Sequence, residues 1–167
     1  NTKSGLRFEK DVDILSSLAQ KGFVVRERAV HAYGTATPVA HSYPKNKLYT
    51  DFLQPKGVDY TTVFSARLLP DEALFVPTSN RLHVIEKKYQ SKGGSVDEKL
   101  QTCGFKKHQY EKLCGRLGVK VTYSYVLNEY FKHERYRDVL EYIKATGCRY
   151  YFLEVPLADL DLPDPGA

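Results

Sequence analysis

The chain has 167 residues, 42% of them hydrophobic and 27% charged, which fits one domain able to bury roughly 70% of the surface its unfolded form would expose. No run approaches the ~18 apolar residues of a membrane helix, no secretory leader pattern opens the sequence, and a formal net charge of +5 favours a polyanionic partner over an acidic one. Cys103, Cys114 and Cys148 form no CxxC pair and cannot all pair within one chain, which argues against a disulfide framework or zinc site and for a reducing cytosol. With no Met, even at the first position, the N-terminus is expected to be processed, disordered or trimmed.

In chain order, Leu6, Val12, Leu15 and Leu18 recur at helical spacing between Ser4 and Gln20, and Lys21-Gly22 stops the pattern, which predicts a first helix. The β-branched content from Phe23 to Val30 predicts a strand. From His31 to Arg67 the breakers Gly34, Pro38, Pro44 and Pro55-Lys56-Gly57 predict short strands and a short helix. Asp71 to Val76 and Arg81 to Tyr89 read as two strands of a hairpin turning at Pro77-Thr78-Ser79-Asn80. A capping box of Ser95 and Glu98 opens a second helix, with Leu100, Cys103, Tyr110, Leu113 and Leu117 as its buried stripe. Val119 to Leu127 follows as a central strand, then a third helix from about Arg135 to Ala145, a last strand from Cys148 to Val155, and a tail with Pro156, Pro163 and Pro165. No repeat and no linker divides the chain. The expectation is one α/β domain, residues 1–167, with a central mixed sheet flanked by helices.

Phosphate-loop, dinucleotide, HExxH and GxSxG motifs are all missing. Lys92-Gly93-Gly94-Ser95 lacks phosphate-cradle spacing and reads as a flexible loop, and the histidines at 31, 41, 83, 108 and 133 have no ligand spacing. Two acid-x-Lys triplets occur, Glu86–Lys88 and Asp97–Lys99, no more than composition supplies. Context separates them. Residues two apart share a face in a strand and diverge in a helix, so only Glu86 and Lys88 can aim at one reacting centre, while Asp97 and Lys99 read as helix-surface charges. Asp71, at the start of the preceding strand, can approach Glu86 across the hairpin. Two carboxylates beside an ammonium meet the needs of metal-assisted phosphodiester hydrolysis, although periodicity and spacing alone favour a surface hairpin with a solvated salt bridge.

Leu69-Pro70-Asp71-Glu72-Ala73, Val84-Ile85-Glu86-Lys87-Lys88-Tyr89-Gln90 and the stretch Gly94-Ser95-Val96-Asp97-Glu98-Lys99-Leu100-Gln101-Thr102-Cys103 resemble the PD-(D/E)xK nucleases, most closely bacterial type II restriction endonucleases. The similarity runs from Thr2 near the start to Phe152 near the end. The short motif is poorly specific, whereas Gly94 to Tyr110 is more distinctive. The resemblance implies a restriction-endonuclease-like core (order αβββαβ) in a bacterial cytoplasmic Mg²⁺-dependent enzyme, with Mn²⁺ as a plausible substitute. It implies Asp71, Glu86 and the Lys87 backbone carbonyl as metal ligands and Lys88 as the water-positioning or charge-stabilising residue. Glu9 matches an acid that often completes such sites, and reads equally well as a helix-surface residue. Lys87 departs from the pattern, because that middle position is usually apolar.

Lys99, Thr102, Lys106 and Gln109 fall on one side of the second helix, able to follow phosphates or simply to face water. Around 31–67 a recognition insertion is expected, with Lys45, Asn46 and Lys47, and beside the hairpin Gln90 and Lys92, offering donors and acceptors for base edges and phosphates. The expected partner is double-stranded DNA, bound by a homodimer whose symmetry matches a short symmetric site. A Holliday-junction resolvase, whose opening Gly5 to Arg28 also resembles, and a DNA-binding module with the chemistry lost are the rival readings.

Overall fold

The computed structural model of the protein describes residues 3–166, so Thr2 lies outside the described residues. The segment read as one helix from Ser4 to Gln20 is two, α1 (Lys3–Asp11) and α2 (Ile14–Gln20). Asp13 divides them: its carboxylate accepts the Ser16 amide at 3.0 Å and the Ser16 hydroxyl at 2.9 Å, capping a new helix instead of continuing the old one. Phe8, Ile14 and Leu18 are buried and Leu6 is left in solvent.

The strand expected over 23–30 is a hairpin, β1 (Val24–Arg26) and β2 (Ala29–His31), with Arg26 opposite Ala29. Its two-residue turn holds Glu27 at φ 56°, where Gly, Asn or Asp is the usual marker, so the sequence carries no turn signal there. Next come β3 (Ala40–Ser42), a six-residue π-helical turn over Leu48–Leu53 and 3-10 turns at Gln54–Lys56 and Tyr60–Thr62. Leu48, Tyr49, Phe52 and Leu53 are all buried, so much of the stretch expected to be a recognition insertion is core. Its exposed Lys45, Asn46 and Lys47 sit at the entrance to the π-helical turn.

The expected hairpin is present as β4 (Glu72–Val76) and β5 (Arg81–Lys88). A short helix α3 (Val96–Lys99), a 3-10 turn and α4 (Cys103–Gly115) lead to β6 (Lys120–Leu127). The Ser95 capping box does not form: Ser95 already has helical backbone angles and its side chain makes no capping bond. Then α5 (Arg137–Ala145) leads to β7 (Arg149–Phe152), which ends short of Val155 because Leu153 turns to φ 70° and donates its amide to the Leu127 carbonyl at 3.0 Å.

All seven strands form one mixed sheet in the order β1-β2-β3-β4-β5-β6-β7, antiparallel through β5 and parallel from β5 to β7. The two parallel connections pass through helices, as such crossovers require. Alternation along the strands builds two cores. Ala73, Leu82, Val84, Tyr123, Tyr125 and Leu127 face α4, α5 and the π-helical turn. Leu74, Val76, Ile85 and Val126 face α1, α2 and the C-terminal segment. That segment is tied to the sheet where Asp161 accepts from Arg81 at 3.1 Å and pairs with His83 at 3.0 Å. The three cysteines are buried and free, and no described helix is long and apolar enough to cross a membrane.

Candidate active site

Strand register creates the site. Ala73 pairs with Val84 and Glu72 with Ile85, so one further step of the same register sets Asp71 against Glu86, on the face that carries Ala73 and Val84. Directly opposed side chains in such a ladder have Cβ atoms about 5 Å apart. Asp71 stands just before the first residue of β4, and its side chain continues the pairing: the Lys87 amide donates to Asp71 Oδ2 at 2.9 Å. The other oxygen, Oδ1, accepts the ammonium of Lys45.

The two carboxyl groups face each other closely enough for each to shift the other's titration. Burial, then the facing Asp71 charge, pushes the Glu86 carboxyl up to about 7. Burial would also raise Asp71, but the hydrogen bonds from Lys45 and the Lys87 amide hold it below the ordinary carboxylate value. Two environments have thus driven two like groups apart, Asp71 toward its charged form and Glu86 toward its neutral one.

Lysines ring the pair. Lys88 lies two residues along the strand from Glu86 and on its face, its Nζ 3.9 Å from Glu86 Oε2 and its side chain only 17% exposed. At that separation the ammonium is attracted to Glu86 without a hydrogen bond to it. Lys106, on α4, faces the same groups: burial lowers its pKa, Glu86 opposes that, and the charge of Lys88 adds to it. For Lys45, burial acts to lower the pKa, and Asp71, Glu86 and Glu9 together outweigh it and raise it.

Lys87 points to the opposite side of the sheet, where its Nζ donates to the Glu9 backbone carbonyl of α1 at 3.2 Å. A lysine is tolerated at this normally apolar position because α1 offers it an acceptor. In a strand the amide and carbonyl of one residue point the same way, so the Lys87 carbonyl is aimed, like its amide, toward Asp71. Glu9 belongs to the rim: it lines a cavity of about 420 Å³ with Lys87, Lys88, Lys92 and Lys99.

The remaining residues predicted to bind DNA have intramolecular partners or positions that constrain them. Asn46 accepts from Arg67 through its side-chain oxygen, and Lys47 lies 3.6 Å from Asp51. Gln90 is held by its backbone: Asn128 accepts its amide at 3.1 Å and donates to its carbonyl at 2.7 Å. Asn128, one residue past the predicted strand end at Leu127, thereby fixes the chain at Gln90. Asp97, expected to be a plain surface charge, instead accepts from Arg135 at 3.0 Å and from the Tyr136 hydroxyl at 2.8 Å, joining α3 to the turn before α5.

No family model, curated protein or solved structure matches the chain. Its chemistry is therefore read from these side chains.

Among the described residues no group of three or more His, Cys, Asp or Glu is arranged to hold a metal ion. A smaller donor set suits Mg²⁺ better, since that ion binds through one or two carboxylates and leaves its other positions to water and substrate phosphate. Asp71, Glu86 and the Lys87 carbonyl supply hard oxygens at one point of the sheet. A divalent cation held by these groups would also offset the Asp71 charge that helps to raise the Glu86 pKa.

Proposed function

We propose that this chain is a Mg²⁺-dependent endonuclease that hydrolyses phosphodiester bonds of double-stranded DNA, acting as a homodimer on a short symmetric sequence within a bacterial restriction system. The observation that carries this reading is the Asp71–Glu86 pair, opposed by strand register and largely buried, beside the ammonium of Lys88 and within reach of Lys45 and Lys106. A solvated salt bridge would need none of this burial and no second carboxylate.

Asp71, Glu86 and the Lys87 carbonyl would hold the ion, whose chemistry when bound is to polarise the phosphate and acidify a water. Lys88 orients the attacking water and offsets charge that develops on the phosphate oxygens in the transition state. The water gives up a proton to solvent as its oxygen bonds to phosphorus, the bond from phosphorus to the leaving sugar oxygen breaks, and the departing oxygen takes up a proton from solvent. Lys106, Lys99 and Lys92 hold neighbouring phosphates, and the Asn128-clamped turn at Gln90 offers an amide side chain to base edges.

Gel electrophoresis after incubation with unmethylated duplex, four-way junction, and Mg²⁺ or EDTA tests the reading. Discrete duplex fragments that require Mg²⁺ are expected. Cutting of junctions alone would transfer the site to a structure-selective nuclease, and binding without cutting in Mg²⁺ would refute the enzymatic assignment.

A further inference from the structure

Lys45 and Asp71 are 26 residues apart and meet because β3 lies against β4. Past the end of β3 the pairing continues, with the Tyr43 amide on the Ala73 carbonyl at 2.7 Å and the Lys45 amide on the Pro70 carbonyl at 2.8 Å. Lys45 itself stands at φ 51°, an uncommon conformation for a lysine that persists where surrounding structure imposes it. The ammonium takes Asp71 Oδ1 and the Lys87 amide takes Oδ2, so both oxygens are engaged by the protein's own donors. The partners differ in freedom. The Lys45 side chain is 55% exposed and Asp71 20%: a four-carbon stem can swing into solvent, whereas the carboxylate is fixed at the edge of the hairpin.

We propose that Lys45 is an internal counter-ion of the cleavage centre: its ammonium occupies the Asp71 oxygen that a divalent cation needs, and it moves to a substrate phosphate when DNA arrives. The proposal rests on the nuclease reading. Two cations compete for one carboxylate oxygen, and a DNA phosphate gives the displaced ammonium a new anion. Metal and DNA binding therefore favour each other, and the coupling is reciprocal. Free protein loads metal poorly, which restrains cleavage until a duplex is engaged.

Calorimetric titration of Mn²⁺ into the full chain without DNA tests this, with wild type, Lys45→Met, Lys45→Arg and Asp71→Asn, each verified as folded by circular dichroism. Lys45→Met should bind Mn²⁺ on the order of tenfold more tightly than wild type, as expected for release of one charge-assisted contact. Lys45→Arg should stay near wild type and Asp71→Asn should lose binding. In a second arm, the anisotropy of a labelled duplex with Ca²⁺ or EDTA should show a larger Ca²⁺-dependent gain in affinity for wild type than for Lys45→Met. Equal or weaker Mn²⁺ binding by Lys45→Met overturns the counter-ion role and leaves the nuclease reading standing. Wild type and Lys45→Met that both fail to bind Mn²⁺ likewise overturn the counter-ion role, since removing the ammonium then frees no site, and the nuclease reading falls only if the Mg²⁺-dependent cleavage assay above also shows no cutting.

Discussion

Replacing Glu86 with Gln should stabilise the folded protein at about pH 8 while removing the proposed nuclease activity. Burial and the facing Asp71 raise the folded-state pKa of Glu86 from its ordinary 4.5 to about 7. Below about pH 4.5 the group is protonated in both folded and unfolded chains and costs nothing. As pH rises from there the unfolded chain ionises first, so stability falls until about pH 7, where the folded group ionises too. Above that the full penalty remains, about 3 kcal/mol from the size of the shift. Gln keeps the shape and cannot ionise. The variant should therefore gain up to about 3 kcal/mol at about pH 8, roughly 6–12 °C in Tm for a chain of this length, and almost nothing at about pH 4.5. Urea unfolding, followed by the fluorescence of the 13 tyrosines in a chain without tryptophan, measures both conditions. A variant no more stable than wild type at about pH 8, or equally stabilised at both pH values, would show that Glu86 is not held against its charge.

Lys88→Ala should lower the single-turnover cleavage rate at saturating duplex by about 10²–10³-fold, the usual cost of losing one transition-state charge contact; an unchanged rate removes Lys88 from the chemistry. Lys106→Ala should weaken duplex binding and reduce the slope of log affinity against log salt by about one unit, which anisotropy at several salt concentrations resolves, and an unchanged slope would mean that Lys106 makes no phosphate contact. Phe52→Ala should cost about 3–5 kcal/mol in urea unfolding, because Phe52 is fully buried between Tyr43 and Phe75; a loss below about 1 kcal/mol would show that the π-helical turn is not part of the core.

The hairpin was legible because its two signals are local: alternation in Arg81 to Lys88, and a Pro-to-Asn turn that ends with Asn80 at φ 50°. Once both strands are placed, the meeting of Asp71 with Glu86 follows from register alone. What escaped the sequence depended on exceptions to residue preference or on distant partners. Glu27 turns the chain without Gly or Asn, and Asp13 caps a helix inside what reads as a continuous apolar stripe. The breakers around 31–67 concealed a buried π-helical turn, since Pro44 and Pro55 bracket Leu48, Tyr49, Phe52 and Leu53 without interrupting them. Lys45 looked like a loop residue free to reach DNA because the strand pairing that carries it to Asp71 spans 26 residues. Lys87 looked like a flaw in the motif because the acceptor that makes it tolerable, the Glu9 carbonyl, lies 78 residues away.

Sequencing of the DNA ends left after incubating a mixed duplex substrate with the protein in Mg²⁺, run beside Asp71→Asn and an EDTA control, tests the assignment of the Asp71–Glu86 pair most directly. Wild type should leave ends clustered at one short symmetric sequence, and both Asp71→Asn and EDTA should leave the substrate intact. Ends produced at the same positions by Asp71→Asn would show that cutting does not depend on this pair and would contradict the assignment.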